Sequence, residues 1–93
     1  MVDDNKWLNV IQDAKLLDQQ AENEDYVPIM TDALVLSLNQ MYTDTANGEL
    51  KDQDKKDIWS LIDKLSNYNI GGYTIKFLPE YQEIKDILKE ILK

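Results

Sequence analysis

Cysteine, histidine and arginine are all absent from this 93-residue chain. The lack of cysteine excludes disulfides, thiolate zinc sites and thiol nucleophiles, and it is typical of proteins from a reducing compartment. The lack of histidine and arginine removes the commonest general base and the side chain that grips phosphate with two parallel hydrogen bonds. No catalytic motif is present either, so the composition predicts a protein that is not an enzyme and needs no cofactor or metal.

The charges that are present are mostly negative, with 18 Asp and Glu against 10 Lys and a net charge of −8. The whole excess falls in residues 1–50, whereas residues 51–93 are balanced. Such a chain repels phosphate backbones, so nucleic acid is not an expected partner. The acidic half is either a solvated face that aids solubility or a surface that covers a basic partner.

No targeting segment is expected from this sequence. Acids at Asp3 and Asp4 stand where a secretory signal would be basic. The most apolar stretch, residues 26–42, is interrupted by Asp32 and is shorter than a membrane-spanning helix requires. With 43% apolar residues the chain can bury a small core. We therefore expect one cytoplasmic domain over residues 1–93.

The first half of the chain contains two segments with apolar residues at helical spacing. The first starts from a cap at Asp3 or Asp4 and places Asp13 on its polar face. The second opens at Val27-Pro28, where valine is expected to be extended and proline suits the first helical position. This second segment is apolar nearly all round, which is typical of a helix in the middle of a bundle or against a partner.

The second half predicts two more helices separated by a connector. The third helix follows the Asn47-Gly48 turn and stops before Gly71-Gly72. Residues 73–77 then alternate as a strand does, but no second strand is evident, so an extended connector is expected. The fourth helix covers residues 79–93. The predicted fold is all-α, an antiparallel four-helix bundle with an extended connector before the last helix, and a dimer of helical hairpins fits the same pattern.

Two acidic features have residue types found in functional sites, but each has a simpler explanation. A calcium loop over residues 43–54 would have Thr43 and Thr45 where carboxylates are needed, so this segment is interpreted as a turn followed by a helix cap. Carboxylate pairs within one helix, such as Glu80 with Glu83, fall on polar faces beside solvent. Acid catalysis requires a carboxyl group in a buried or like-charged environment, so these pairs predict no catalytic site.

The candidate contact residues lie in the connector and the last helix. Trp7 and Trp59 fall on helix stripes and are expected in the core, whereas the connector aromatics are not tied to a stripe and can anchor an interface. The candidate partner-binding residues are Tyr68, Tyr73, Ile75, Phe77, Lys85 and Lys89. The lysines of the last helix would also permit peripheral contact with a membrane, although acids on the same face make packing within the bundle the favoured interpretation.

The middle of the chain resembles a family of bacterial immunity proteins. Val27-Pro28 opens a helix rich in Ile, Leu and Met, an Asn47-Gly48 turn follows, and Leu50 precedes a polar first turn. Ile58 and Leu61 come eight and eleven residues later, and the segment closes with Ile70-Gly71-Gly72-Tyr73. Over residues 27–73 this pattern is similar to the later helical hairpin of the proteins that protect bacteria against pediocin-like bacteriocins, the enterocin A and piscicolin immunity group.

The resemblance implies a cytoplasmic four-helix protein without catalytic activity. Members of this family act at the inner face of the membrane, on the mannose-permease receptor that a bacteriocin has engaged. Their specificity lies largely around and after the last family helix, which corresponds here to residues 68–77 and the closing helix. Only one helix precedes the hairpin where the family has two, and the extra closing helix is expected to fill the vacant place.

Two other hypotheses remain open at the level of the sequence. An acidic interaction or inhibitor protein, encoded by a phage or plasmid, would cover a basic partner surface and explain the charge of residues 1–50. The other hypothesis is a structural or regulatory helical bundle that is unrelated to the immunity proteins. The sequence does not decide between a monomer and a homodimer.

Overall fold

Four helices account for most of the structure. The computed structural model describes residues 3–93. Its helices are α1 (Asp4–Gln20), α2 (Val27–Ala46), α3 (Asp52–Leu65) and α4 (Pro79–Ile91). Between α3 and α4 lie two short strands, β1 (Asn69–Ile70) and β2 (Tyr73–Thr74), and a 3₁₀ turn at Ile75–Phe77. The prediction of an all-α protein is therefore confirmed.

Local signals in the sequence set three of the four helix starts. The Asp3 carboxylate caps α1 by accepting a hydrogen bond from the Lys6 N–H at 3.2 Å. At the start of α3, the Asp54 carboxylate accepts from the Lys51 N–H, also at 3.2 Å. Leu78 is extended and is followed by Pro79 in the first turn of α4, as the Leu-Pro pair predicts.

The start of α2 differs from its prediction by one residue. Val27 is helical rather than extended, and Pro28 lies within the first turn. The chain instead bends sharply at Tyr26, which has φ of +66°. The Val27 N–H donates to the Asp25 carbonyl at 2.8 Å across this tight bend. The direction of the chain is thus reversed before Val27, which leaves valine free to enter the helix.

The core is built around α1. This helix packs against α2 and α4, and α2 also packs against α3. Trp7 of α1 is buried and stacks on Tyr42 of α2, with ring centroids 5.8 Å apart. The hydroxyl of Tyr81 on α4 donates to the Ile62 carbonyl of α3 at 3.2 Å and joins the last helix to the third. The expectation that Trp7 belongs to the core is confirmed, and Trp59 is half-buried against it.

The sequence predicted an extended connector between α3 and α4, but this segment folds back on itself. Asn69 pairs with Thr74 and Ile70 with Tyr73 in an antiparallel hairpin. Gly71 and Gly72 form its turn with φ of +59° and +85°, a conformation that two-residue hairpin turns require and that glycine adopts without strain. The partner strand missing from the prediction is therefore β1, only two residues away.

Two faces differ from expectation in their burial. Asp13, predicted on the polar face of α1, is only 8% exposed. On α2, which was expected to be surrounded, Ile29 and Leu36 are exposed while Leu34 and Leu38 of the opposite face are buried. Within residues 3–93 no helix combines the length and apolar character needed to cross a membrane.

Candidate functional site

Exposed aromatic side chains are concentrated at one end of the molecule. Tyr26 is 77% exposed, Tyr73 70% and Phe77 67%, and Tyr68 is exposed to a lesser degree. These four residues lie on the α1–α2 link and on the segment between α3 and α4, and together they are called the aromatic end. Large aromatic groups in water are the side chains that most often become the energetic centre of a protein interface.

A hydrogen bond joins the two segments of the aromatic end, and another orders the second segment. The Gly71 N–H, at the hairpin turn, donates to the carboxylate of Glu24 on the α1–α2 link at 2.7 Å. Within the second segment, the Ile75 N–H donates to the Tyr68 carbonyl at 2.8 Å. A hydrogen bond to an ionised acceptor is stronger than one between neutral groups. The aromatic side chains are thus presented on a backbone that is already ordered.

Tyr26 occupies a strained backbone conformation. A bulky residue with positive φ is uncommon and costs about 1–3 kcal/mol, and such residues cluster at binding and catalytic sites. The strain is combined with nearly full exposure of the ring. Tyr26 was not among the residues predicted from the sequence, since neither composition nor periodicity signals a left-handed tyrosine.

The candidate residues named from the sequence do not all lie on the surface. Tyr73 and Phe77 are well exposed, and the Lys76 ammonium lies 5.2 Å from the centre of the Phe77 ring. The prediction that Ile75 contacts a partner is wrong, because its side chain is fully buried in the core. The 3₁₀ turn explains this, since it directs Ile75 inward, out of step with the alternation of a strand.

The two lysines predicted on the last helix differ in their environment. Lys85 is half-buried, and its ammonium lies 5.8 Å from the centre of the Tyr81 ring. The two side chains therefore form a cation–π contact. Lys89 is exposed in the last turn of α4. Of the two, Lys89 is the more exposed to water.

A groove about 180 Å³ in volume lies between α2 and α3. Each helix contributes residues spaced i, i+3, i+4 and i+7, so that one face of each helix lines it. Met41, Ile58 and Leu61 form an apolar floor, and Asp44, Asp54 and Asp57 stand among the polar residues around it. Next to it, a wider opening is lined by Asp44, Glu49, Lys51 and Asp54.

Carboxyl groups also meet at the interfaces of α1. Burial raises the pKa of Asp13 to about 6, and the neighbouring carboxylates of Glu83 and Glu80 on α4 add to the effect. Asp13 Oδ2 is out of contact with solvent and has no hydrogen-bond partner in residues 3–93. The raised pKa therefore links the stability of the α1–α4 interface to pH.

The α1–α2 interface contains a related arrangement. The buried Thr31 hydroxyl donates to Asp18 Oδ1 at 2.6 Å. A hydrogen bond to Asp18, together with repulsion between the two charges, raises the pKa of the exposed Asp32 carboxyl. The carboxyl groups that raise the pKa of Asp13 and of Asp32 therefore lie on a different helix, unlike the pairs within one helix that the sequence suggests.

Comparisons with known proteins identify no relative. The chain matches no protein-family model, and no curated protein or solved structure was found to be similar to it. Within the described residues, no group of three or more Asp or Glu side chains is placed to hold a metal ion. The aromatic end and the α2–α3 groove are therefore the two surface features that bear on function.

Proposed function

We propose that the protein is a binding module that acts through its aromatic end, in the role of a bacteriocin immunity protein. In this role it binds a mannose-permease type receptor that has been engaged by a pediocin-like bacteriocin, from the cytoplasmic side of the membrane. The observation that carries the proposal is the exposure of Tyr73 and Phe77 on an ordered hairpin and turn. These residues fall in the segment to which the resemblance assigns specificity.

The arrangement of the helices supports the same proposal. We infer an antiparallel four-helix bundle, because α1 contacts both α2 and α4, and α2 contacts α3. In this arrangement α4 fills the place of the helix that the family has ahead of its hairpin. The α2–α3 pair coincides with the stretch on which the resemblance is based.

The proposal is tested by expressing the chain in a sensitive bacterial strain and exposing the cells to a broad panel of pediocin-like peptides. Survival against one or a few peptides, with unchanged killing by the others, is the expected result, because immunity proteins are specific. Cells that carry the empty vector serve as the control. If every peptide of the panel kills both strains equally, the proposed function is wrong.

The role of the aromatic end is tested with the double variant Tyr73→Ala/Phe77→Ala. Both rings are largely in water, so the variant is expected to keep its helical circular dichroism and to lose about 1 kcal/mol of stability at most, while protection falls at least tenfold. The matched control is Leu8→Ala/Leu36→Ala, which removes two exposed apolar side chains elsewhere. Equal losses of protection in both variants would contradict a role for the aromatic end.

A further inference from the structure

The α2–α3 groove is distant from the aromatic end. Its residues on α2 run from Ser37 to Asp44, whereas the aromatic end adjoins the first residue of the same helix, Val27. At about 1.5 Å of rise per residue, Asp44 lies roughly 25 Å along α2 from Val27. Any ligand in the groove is therefore separate from a partner at the aromatic end.

The carboxylates around the groove keep their negative charge available. Asp44 accepts a hydrogen bond from Gln40, Asp57 from Gln53, and Asp54 from the Lys51 N–H. All these donors are neutral, and none of the three acids forms an ion pair with another residue of the described chain. Three like charges thus line one groove without forming an ion pair in the described chain, and Lys51 lines the adjoining opening together with Asp44 and Asp54.

The end of α2 beside the groove has no basic residue that would neutralise these acids. The C-terminal end of a helix carries a partial negative charge, which lysine or arginine in the last turn often offsets. The last turn of α2 has no basic residue and instead contains Asp44. Because α3 begins at the same end of the groove, the partial positive charge of its first turn offsets that of the α2 end, so a cation supplied by another molecule would be attracted chiefly by the carboxylates.

The size and lining of the groove fit the side chain of a lysine or an arginine. A volume of about 180 Å³ is below the roughly 300–1,000 Å³ of pockets for small-molecule ligands, and it suits one or two side chains. The long side chains of lysine and arginine have an apolar stem and a charged head. The stem matches the floor of Met41, Ile58 and Leu61, and the head matches the acids around it.

From this combination we propose that the α2–α3 groove binds a basic segment of a partner protein, with a lysine or arginine side chain inserted between the two helices. The stem lies on Met41, Ile58 and Leu61, and the cation lies among Asp44, Asp54 and Asp57. This surface is independent of the proposed immunity function, which concerns the other end of α2. One chain can thus hold two partners, or two parts of one partner.

The test uses a synthetic lysine–alanine peptide titrated into the full-length protein, observed through backbone amide NMR shifts. Saturable shifts are expected at residues 37–44 and 54–61. A peptide with acetylated lysines, which keeps the stem but loses the charge, should bind at least tenfold more weakly. Shifts spread over the whole acidic surface, or no saturable shifts, would overturn the proposal.

Matched variants separate the groove from the general negative charge of the protein. Asp44→Asn/Asp57→Asn removes two charges from the groove but leaves the Asp54 cap of α3 in place, and we expect binding about tenfold weaker. Asp63→Asn/Asp86→Asn makes the same change in net charge on exposed residues outside the groove, with an expected loss below about twofold. Equal weakening by both pairs would show non-specific attraction and contradict the site.

Discussion

At the scale of single residues, Asp13 has the clearest consequence for stability. Its pKa in the folded protein is about 6, compared with an ordinary value of 3.8. Because the folded-state pKa is raised, the folded protein is favoured by protonation of this group. Its contribution is fully present below about pH 4 and is lost as the pH rises through about 6. Ionisation of Asp13 at neutral pH therefore destabilises the α1–α4 interface.

Asp13→Asn is expected to stabilise the protein at pH 7. A shift from 3.8 to about 6 corresponds to about 3 kcal/mol, and screening by the water around the exposed Glu83 reduces this to about 1–2 kcal/mol. Urea unfolding at pH 7 and at pH 4 measures the effect, which should be much smaller at pH 4. Asp86→Asn, on the exposed part of α4, is the control, and equal stabilisation by both substitutions would show that only net charge matters.

At the scale of secondary structure elements, the hairpin depends on its glycine turn. Gly71 has φ of +59°, and no atom lies near the position a Cβ would take, so a substitution here costs backbone strain alone. Gly71→Ala is expected to lower the free energy of unfolding by about 1–2 kcal/mol. Gly71→Asn should cost less, because asparagine tolerates positive φ better than alanine. Urea unfolding of the two variants provides the test, and an alanine variant as stable as the wild type would contradict the left-handed turn.

The sequence predicted the helices better than it predicted the segment between α3 and α4. Helix starts are set by local signals, such as the Asp3 cap and Pro79, which are read without knowledge of the rest of the chain. The burial of Ile75 depends on the 3₁₀ turn after β2, and a strand-like alternation of residues does not reveal that turn.

The candidate sites were also predicted only where they depend on one segment of the chain. The exposure of Tyr73 and Phe77 agrees with the expectation for the connector, because no helix stripe required them in the core. The groove, in contrast, is formed by residues from two helices, and the pairing of Asp13 with Glu83 joins α1 to α4. Periodicity describes one helix at a time, so it places a residue on a face but does not say which face of another helix lies opposite.

At the scale of the whole molecule, charge repulsion opposes folding. The net charge is −8, while the three ion pairs within residues 3–93, Lys6 with Asp3 and Glu90 and Lys55 with Asp52, all have exposed members. Exposed ion pairs contribute little to stability. Repulsion among the acids is therefore expected to exceed the gain from the pairs.

Added salt is consequently expected to stabilise the protein. About 1 M NaCl shortens the screening length to about 3 Å, so the melting temperature at pH 7 should rise by about 5 °C. The control is the same measurement near the isoelectric point of about 4.3, where the net charge is small and the rise should largely vanish. A melting temperature that falls with salt at pH 7 would mean that attractive pairs dominate.

The stacking of Trp7 on Tyr42 allows tryptophan fluorescence to be used as a probe of the contact between α1 and α2. The chain has two tryptophans, one fully enclosed between α1 and α2 and the other, Trp59, partly open to water. Replacing Trp59 with phenylalanine would leave a single indole, Trp7, which is buried in the core and stacks on Tyr42 across the contact between the first two helices. Its emission would shift to longer wavelength when those helices separate, so their opening can be followed without any attached dye.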